Sequence, residues 1–130
     1  VCSLDDIALS VVTTVIGVKP EKGWILIDAG WMALSRDRGT ASQAIDYGYG
    51  MVLDGAGRPL TDWIVESTSQ EHGVIKQRAG SSEIPSDVQI GDKLRILPNH
   101  ACATASQFDK YYVADAEGQL SEQWSRFNFW

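Results

Sequence analysis

Residues 87–97 constrain the fold more than any other stretch of this chain. Val88, Ile90, Leu94 and Ile96 fall at every second or fourth position among polar neighbours, the period of a strand with one buried face. Pro98 follows. It has no N–H to give to a sheet, so the strand is expected to end there. Strand signals recur along the chain. Residues 8–18 are rich in β-branched side chains, which suit a pleated surface. The turn cluster Lys19-Pro20-Glu21-Lys22-Gly23 then leads to Trp24-Ile25-Leu26-Ile27, so an antiparallel hairpin is expected. Residues 62–68 alternate, and 111–115 and 120–126 flank a turn at 116–119. Residues 40–46 and 79–86 read as loops. Gly48 to Leu53 leads into the glycine-rich turn 54–59, which is not the GxGxxG of a nucleotide cradle. No long amphipathic helix stands out. The expected fold is mostly β, a small β-barrel or sandwich of about seven or eight strands.

A chain of 130 residues suits one domain with one core. A net charge of −6, with acidic and basic residues interspersed, argues against a general binder of nucleic acid or anionic membranes. No apolar stretch is long enough to cross a bilayer as a helix. The start, Val1-Cys2-Ser3-Leu4-Asp5-Asp6, has neither the basic nor the apolar region of a signal peptide and lacks an initiator Met. The chain is therefore expected to be a piece of a longer protein. Two cysteines make no disulfide framework, and a reducing, cytoplasmic setting is the expectation.

Past Pro98 comes Asn99-His100-Ala101-Cys102-Ala103-Thr104, which holds one of two histidines and one of two cysteines, two positions apart. A loop just beyond a strand end is held by the sheet and often carries function. An imidazole and a thiol so close can share a soft or borderline metal such as zinc. Two donors leave such a site incomplete, and no CxxC or HExxH pattern supplies more. The alternative is a buried Cys packing as a small hydrophobe beside a hydrogen-bonded His. Asp28 allows a role near an active site or a carboxylate that fixes a turn through backbone N–H groups. His72 is the catalytic candidate, as a general base or as a partner to another site group. A histidine hydrogen-bonded inside a sheet is its alternative. On a strand, Glu71 and His72 would face opposite sides.

The segment Pro98-Asn99-His100-Ala101-Cys102-Ala103-Thr104 resembles the metal-binding loop of the D-serine dehydratase and D-threonine aldolase family, fold-type III pyridoxal-phosphate enzymes. Asp28-Ala29-Gly30, Ala33-Leu34-Ser35, Asp37-Arg38-Gly39 and Glu71-His72-Gly73 are similar to further family segments in the same order, and Trp124 and Arg126 to its closing hairpin. The resemblance runs from Leu9 to Arg126. The chain departs from the pattern at Met32, where members commonly carry Lys, and at Gln70, where many carry Glu. It departs again after Arg126, where Phe127-Asn128-Phe129-Trp130 replaces the usual glycine. Three aromatics in four residues suggest packing on another surface or docking onto this domain's own core.

The resemblance implies the alanine-racemase-type C-terminal β-domain of an enzyme whose N-terminal barrel carries pyridoxal phosphate on a lysine. None of Lys19, Lys22, Lys76, Lys93 or Lys110 is placed to be that lysine. The barrel is expected to precede this chain as its partner within the same protein, and the complete protein to be a homodimer acting on a small D-amino acid. His100 and Cys102 would be the metal ligands, and a thiolate favours zinc. Relatives with a carboxylate at the Cys position lean toward harder metals and aldol cleavage. The implied activity is elimination from D-serine or a similar D-3-hydroxy amino acid. Retro-aldol cleavage of D-threonine, a racemase of the same fold type, and a metal- or protein-binding domain without catalysis remain the other readings.

Overall fold

The computed structural model describes residues 3–80, 83–115 and 117–127. Six strands close into an antiparallel barrel: β1 (Val11–Lys19), β2 (Trp24–Ile27), β3 (Gly50–Asp54), β4 (Pro59–Thr68), β5 (Gly73–Gln77) and β6 (Lys93–Pro98). The order around the barrel is β1-β2-β5-β4-β3-β6, and β6 pairs back on β1. A short helix, α1 (Ala101–Ala105), leaves the end of β6. The strands β7 (Lys110–Ala114) and β8 (Leu120–Ser125) form a separate two-stranded hairpin. The mostly-β barrel expected from the sequence is what the chain forms.

Alternation places the core. On β1, Val11, Thr13 and Val15 face inward while Val12 is exposed, and on β2 Ile25 and Ile27 are buried. With Val52, Val65, Ile75 and Ile96 they fill the barrel. Full burial of such a side chain contributes roughly 1.5–3 kcal/mol. The barrel bends at bulges. Val15 faces Ile27 and Gly17 faces Leu26, so Ile16 is the extra residue on β1, and its side chain turns outward. Glu66 is the extra residue on β4 in the same way. Bulges re-aim a strand and raise its twist, which helps a small sheet close.

Two expectations need correction. Residues 87–92 are not strand. Gly91 takes a φ of 99°, the Asp92 carboxylate accepts the Gln89 N–H at 2.8 Å, and the ladder begins only at Lys93. The alternation there was real, but the turn-forming Gly91-Asp92 pair overrides it. The segment after Pro98 is not a plain loop, because α1 occupies 101–105. Pro98 does end its strand, opposite Gly50. The expected packing role of the tail falls mostly on Phe129 and Trp130, outside the described residues, while Phe127 is fully exposed.

Strand direction gathers the motifs. β2, β4 and β6 run toward one end of the barrel, and β1, β3 and β5 start there. That end therefore carries the β2–β3 connection, the β4–β5 turn and the segment after β6. Asp28 anchors the first of these. Its carboxylate accepts the Thr13 hydroxyl at 2.6 Å and the Thr14 N–H at 2.7 Å. This is the backbone-fixing role. Partial burial pushes the Asp28 carboxyl up, but the Thr13 and Thr14 hydrogen bonds and the Lys93 charge together hold it below the ordinary aspartate value. A lowered folded value means a stabilising contribution that is full above the unfolded value of about 3.9 and is lost as pH falls through the folded one. We expect Asp28→Asn to be less stable than wild type at neutral pH, with the gap closing in acid. Urea unfolding from about pH 7 down to about pH 3 checks this, and a pH-independent gap would contradict it.

Candidate metal centre

Two of the sequence motifs meet backbone to backbone. The N–H groups of Trp31 and Met32 donate to the carbonyls of Ser69 and Gln70, at 3.0 and 3.1 Å. The approach is so close that a Cβ on Gly30 would run into both of those carbonyl oxygens. A Cβ on Gly73 would lie 2.6 Å from the Ala29 oxygen. Both glycines are therefore required by contact. The chain then turns on Gly30, whose carbonyl accepts the Ala33 and Leu34 N–H groups, and Leu34 is buried beneath.

From Leu34 the connection runs along the segment after β6 and is tied to it three times. The Thr104 hydroxyl, fully buried, donates to the Leu34 carbonyl. The Asn99 amide donates to the Thr40 hydroxyl at 3.3 Å and to the Gly48 carbonyl. Between these ties, Nδ1 of His100 meets the carboxylate of Asp37, 63 residues away in sequence. His100 is the residue that starts α1. Its carbonyl accepts the Thr104 N–H at 3.0 Å, and its ring makes no cap of its own. Cys102 lies in the first turn of α1 as an exposed free thiol. At the far end of α1, the Arg126 guanidinium donates to the Ala105 carbonyl and lies 5.8 Å from the Tyr111 ring centre, which ties the β7–β8 hairpin to this helix.

The chemistry follows from what remains available. Asp37 takes one ring nitrogen of His100, so Nε2 is the one left to bind a ligand, and the Cys102 sulfur is open to solvent. His100 and Asp37 side chains are 48% and 53% exposed, so an incoming group can reach them. Imidazole nitrogen and thiolate sulfur suit zinc or a similar borderline metal. Among the described residues, no three His, Cys, Asp or Glu side chains converge where they could hold a metal ion. By donor chemistry His100 and Cys102 could supply two ligands to such a metal, with the remaining positions left to other groups. The buried-Cys alternative does not describe Cys102, which is exposed.

His72 occupies the β4–β5 turn rather than a strand, at the same barrel end. Its carbonyl accepts the Ser69 N–H at 2.8 Å, and its ring is exposed. The opposite-faces argument for Glu71 and His72 therefore does not apply. Asp37 was missed as a site residue by the sequence reading, although its motif was noted, since no local spacing links it to His100. A cleft of about 420 Å³ lies instead along Arg38, Asp46, Glu66 and Lys76, whose charges pair with each other.

Comparison with known proteins places the chain. Residues 8–114 match the family described as "Putative serine dehydratase domain", and the chain belongs to that family. It is 48% identical over 132 residues to the D-threo-3-hydroxyaspartate dehydratase of Delftia sp. (strain HT23), covering 100% of this chain and 34% of that one. It is 32% identical over 132 residues to the D-serine dehydratase of Dictyostelium discoideum, covering 99% of this chain and 32% of that one. The solved Delftia enzyme superposes with a TM-score of 0.92 at 47% identity, covering 100% of this chain and 35% of that one. An alanine racemase-like protein from Idiomarina loihiensis does so with a TM-score of 0.88 at 50% identity, covering 99% and 34%. The chain thus spans about a third of the length of these relatives. Two solved D-threo-3-hydroxyaspartate dehydratase variants replace a histidine and a cysteine two positions apart, the cysteine variant being in a metal-free form.

Because Gly30 and Gly73 face carbonyl oxygens rather than yielding side chains, Gly30→Ala and Gly73→Ala should each cost about 1–3 kcal/mol or more. The control Gly80→Ala, with nothing near its Cβ position, feels only its own positive φ. Thermal unfolding of the three variants checks the order, and equal losses would refute the contact argument.

Proposed function

We propose that this chain is the metal-binding β-domain of a pyridoxal-phosphate-dependent lyase that removes water from a D-3-hydroxy amino acid. The observation that carries the reading is the His100–Cys102 pair, presented to solvent at the motif-bearing end of the barrel, with the second ring nitrogen already engaged by Asp37. Its His-x-Cys spacing is that of the residues substituted in the two D-threo-3-hydroxyaspartate dehydratase variants, one of them in a metal-free form.

In this reading Nε2 of His100 and Sγ of Cys102 hold zinc. When bound, zinc offsets the charge that builds on the departing β-hydroxyl oxygen, and pyridoxal phosphate accepts the electron pair left by the α-proton. The cofactor lysine belongs to an N-terminal barrel beyond this chain. His100 and Cys102 orient the metal through the first turn of α1, which Thr104 pins to Leu34. In this reading His72, exposed at the same end of the barrel, would accept or deliver a proton. Cleavage of D-threonine is the second reading. Cys102 disfavours it, because a sulfur donor selects against the harder metals.

The test uses the full-length protein with D-serine and D-threo-3-hydroxyaspartate, following pyruvate and oxaloacetate. Activity should fall with EDTA and return with added zinc. His100→Ala and Cys102→Ser should each lower zinc affinity. Residues 1–130 alone should be silent. Full activity after exhaustive chelation overturns the reading, as does a bound metal indifferent to both substitutions. Glycine and acetaldehyde from D-threonine as the main products would favour the second reading.

The β7–β8 hairpin leaves Tyr112, Leu120, Trp124 and Phe127 exposed, more apolar surface than an isolated hairpin keeps in water. The full-length protein is proposed to be a dimer with its active site near a domain or subunit interface. Light scattering that shows an active monomer would contradict this.

A further inference from the structure

We propose that Asp37 is a positioning residue that decides which ring nitrogen His100 presents to the metal. The inference rests on the metal reading above and deepens it.

Three ties join the β2–β3 connection to the segment after β6. The outer two bind interior groups. Thr104 is buried and donates to the Leu34 carbonyl, and the part-buried Asn99 amide donates to Thr40 and Gly48. These two already fix the segments against each other. The middle tie, Asp37 to His100, joins side chains that are both about half exposed. A solvent-exposed pair of this kind contributes little to stability. Its contribution must be sought in what it does to the imidazole.

A carboxylate only accepts hydrogen bonds. A neutral imidazole facing Asp37 through Nδ1 must therefore carry its proton on Nδ1. The lone pair is then left on Nε2, and rotation of the ring is checked. Without Asp37 the ring is free to take the other tautomer, with the proton on the nitrogen that the metal needs. A carboxylate behind a ligating histidine is a general way to fix tautomer and orientation, and its removal commonly costs 10- to 100-fold in metal affinity.

The local backbone is shaped for this contact. Ser35 is buried and takes a φ of 140°, a region that side chains rarely adopt, and its hydroxyl accepts the Asp37 N–H at 3.2 Å. Gly39, two residues beyond, lies against the Asn99 carbonyl, with space for a Cβ at 3.6 Å. Asp37 thus lies between buried Ser35 and Thr40, whose hydroxyl accepts the Asn99 amide, and its carboxylate meets the one histidine of the segment after β6.

The experiment compares the full-length wild type with Asp37→Ala and Asp37→Asn. Zinc affinity is read by competition with a chromophoric chelator. The His100 tautomer is read by nitrogen-15 NMR of the metal-free, histidine-labelled protein, with the signal assigned by its loss in His100→Gln. We expect Asp37→Ala to bind zinc about 10- to 100-fold more weakly and to lose the single Nδ1–H tautomer, while the melting temperature of the metal-free protein stays the same. Asp37→Asn, whose amide oxygen can still accept from Nδ1, should recover part of the affinity. Unchanged affinity in Asp37→Ala, in a protein whose affinity does depend on His100, overturns this inference alone. A matching loss of affinity and melting temperature with an unchanged tautomer overturns it in favour of a merely structural contact. A wild type that binds no zinc, or binds it without His100, overturns the metal reading and this inference with it.

Discussion

Gly30 and Gly73 lie where the chain leaving β2 crosses the β4–β5 turn with carbonyl oxygens in the space a Cβ would need. The rest of the candidate site depends on that crossing. It sets the direction in which Trp31 and Met32 pair with Ser69 and Gln70. It lets Gly30 start the turn that buries Leu34, and Leu34 in turn offers its carbonyl to Thr104. Thr104 then holds the helix whose first residues are flanked by His100 and carry Cys102. A contact of two backbones is thus transmitted through one buried side chain and one hydroxyl to a pair of donors at the surface. The transmission is rigid because each link is a hydrogen bond or a packed residue in a closed barrel, where no strand edge is free to slip.

The barrel was legible because alternation and turn chemistry agree along β1, β2, β4 and β6. Pro98 marked the end of its strand for a local reason, the missing N–H. What could not be read locally was lost for equally physical reasons. The bulges at Ile16 and Glu66 leave no signature in the strand pattern, since a single extra residue only shifts register. Residues 87–90 alternate as a strand does, yet the Gly91-Asp92 turn holds them out of the ladder. The helix at 101–105 is too short to show a helical period. His100 and Cys102 stand out as candidate ligands by residue chemistry and resemblance. Asp37 was visible only as part of a motif, because its partner is 63 residues away and the barrel alone brings the two together.

The exposure of the donors also carries information about the kind of site this is. A structural metal site is closed by four protein ligands and holds its domain together. Here the barrel is packed around an apolar core of its own. The His100 side chain is about half exposed and Cys102 is exposed, and among the described residues no three His, Cys, Asp or Glu side chains converge where they could hold a metal ion. In the proposed metal site, such a pair would bind weakly by itself and gain affinity from whatever completes the shell, whether substrate, water or another part of the protein. Pre-orientation matters most in that situation. With few protein ligands, each one that must find its tautomer and rotamer on binding takes a larger share of the available affinity. Under the proposed reading, a histidine already held by Asp37, on a helix already held by Thr104, would spend less of the metal's binding energy on ordering.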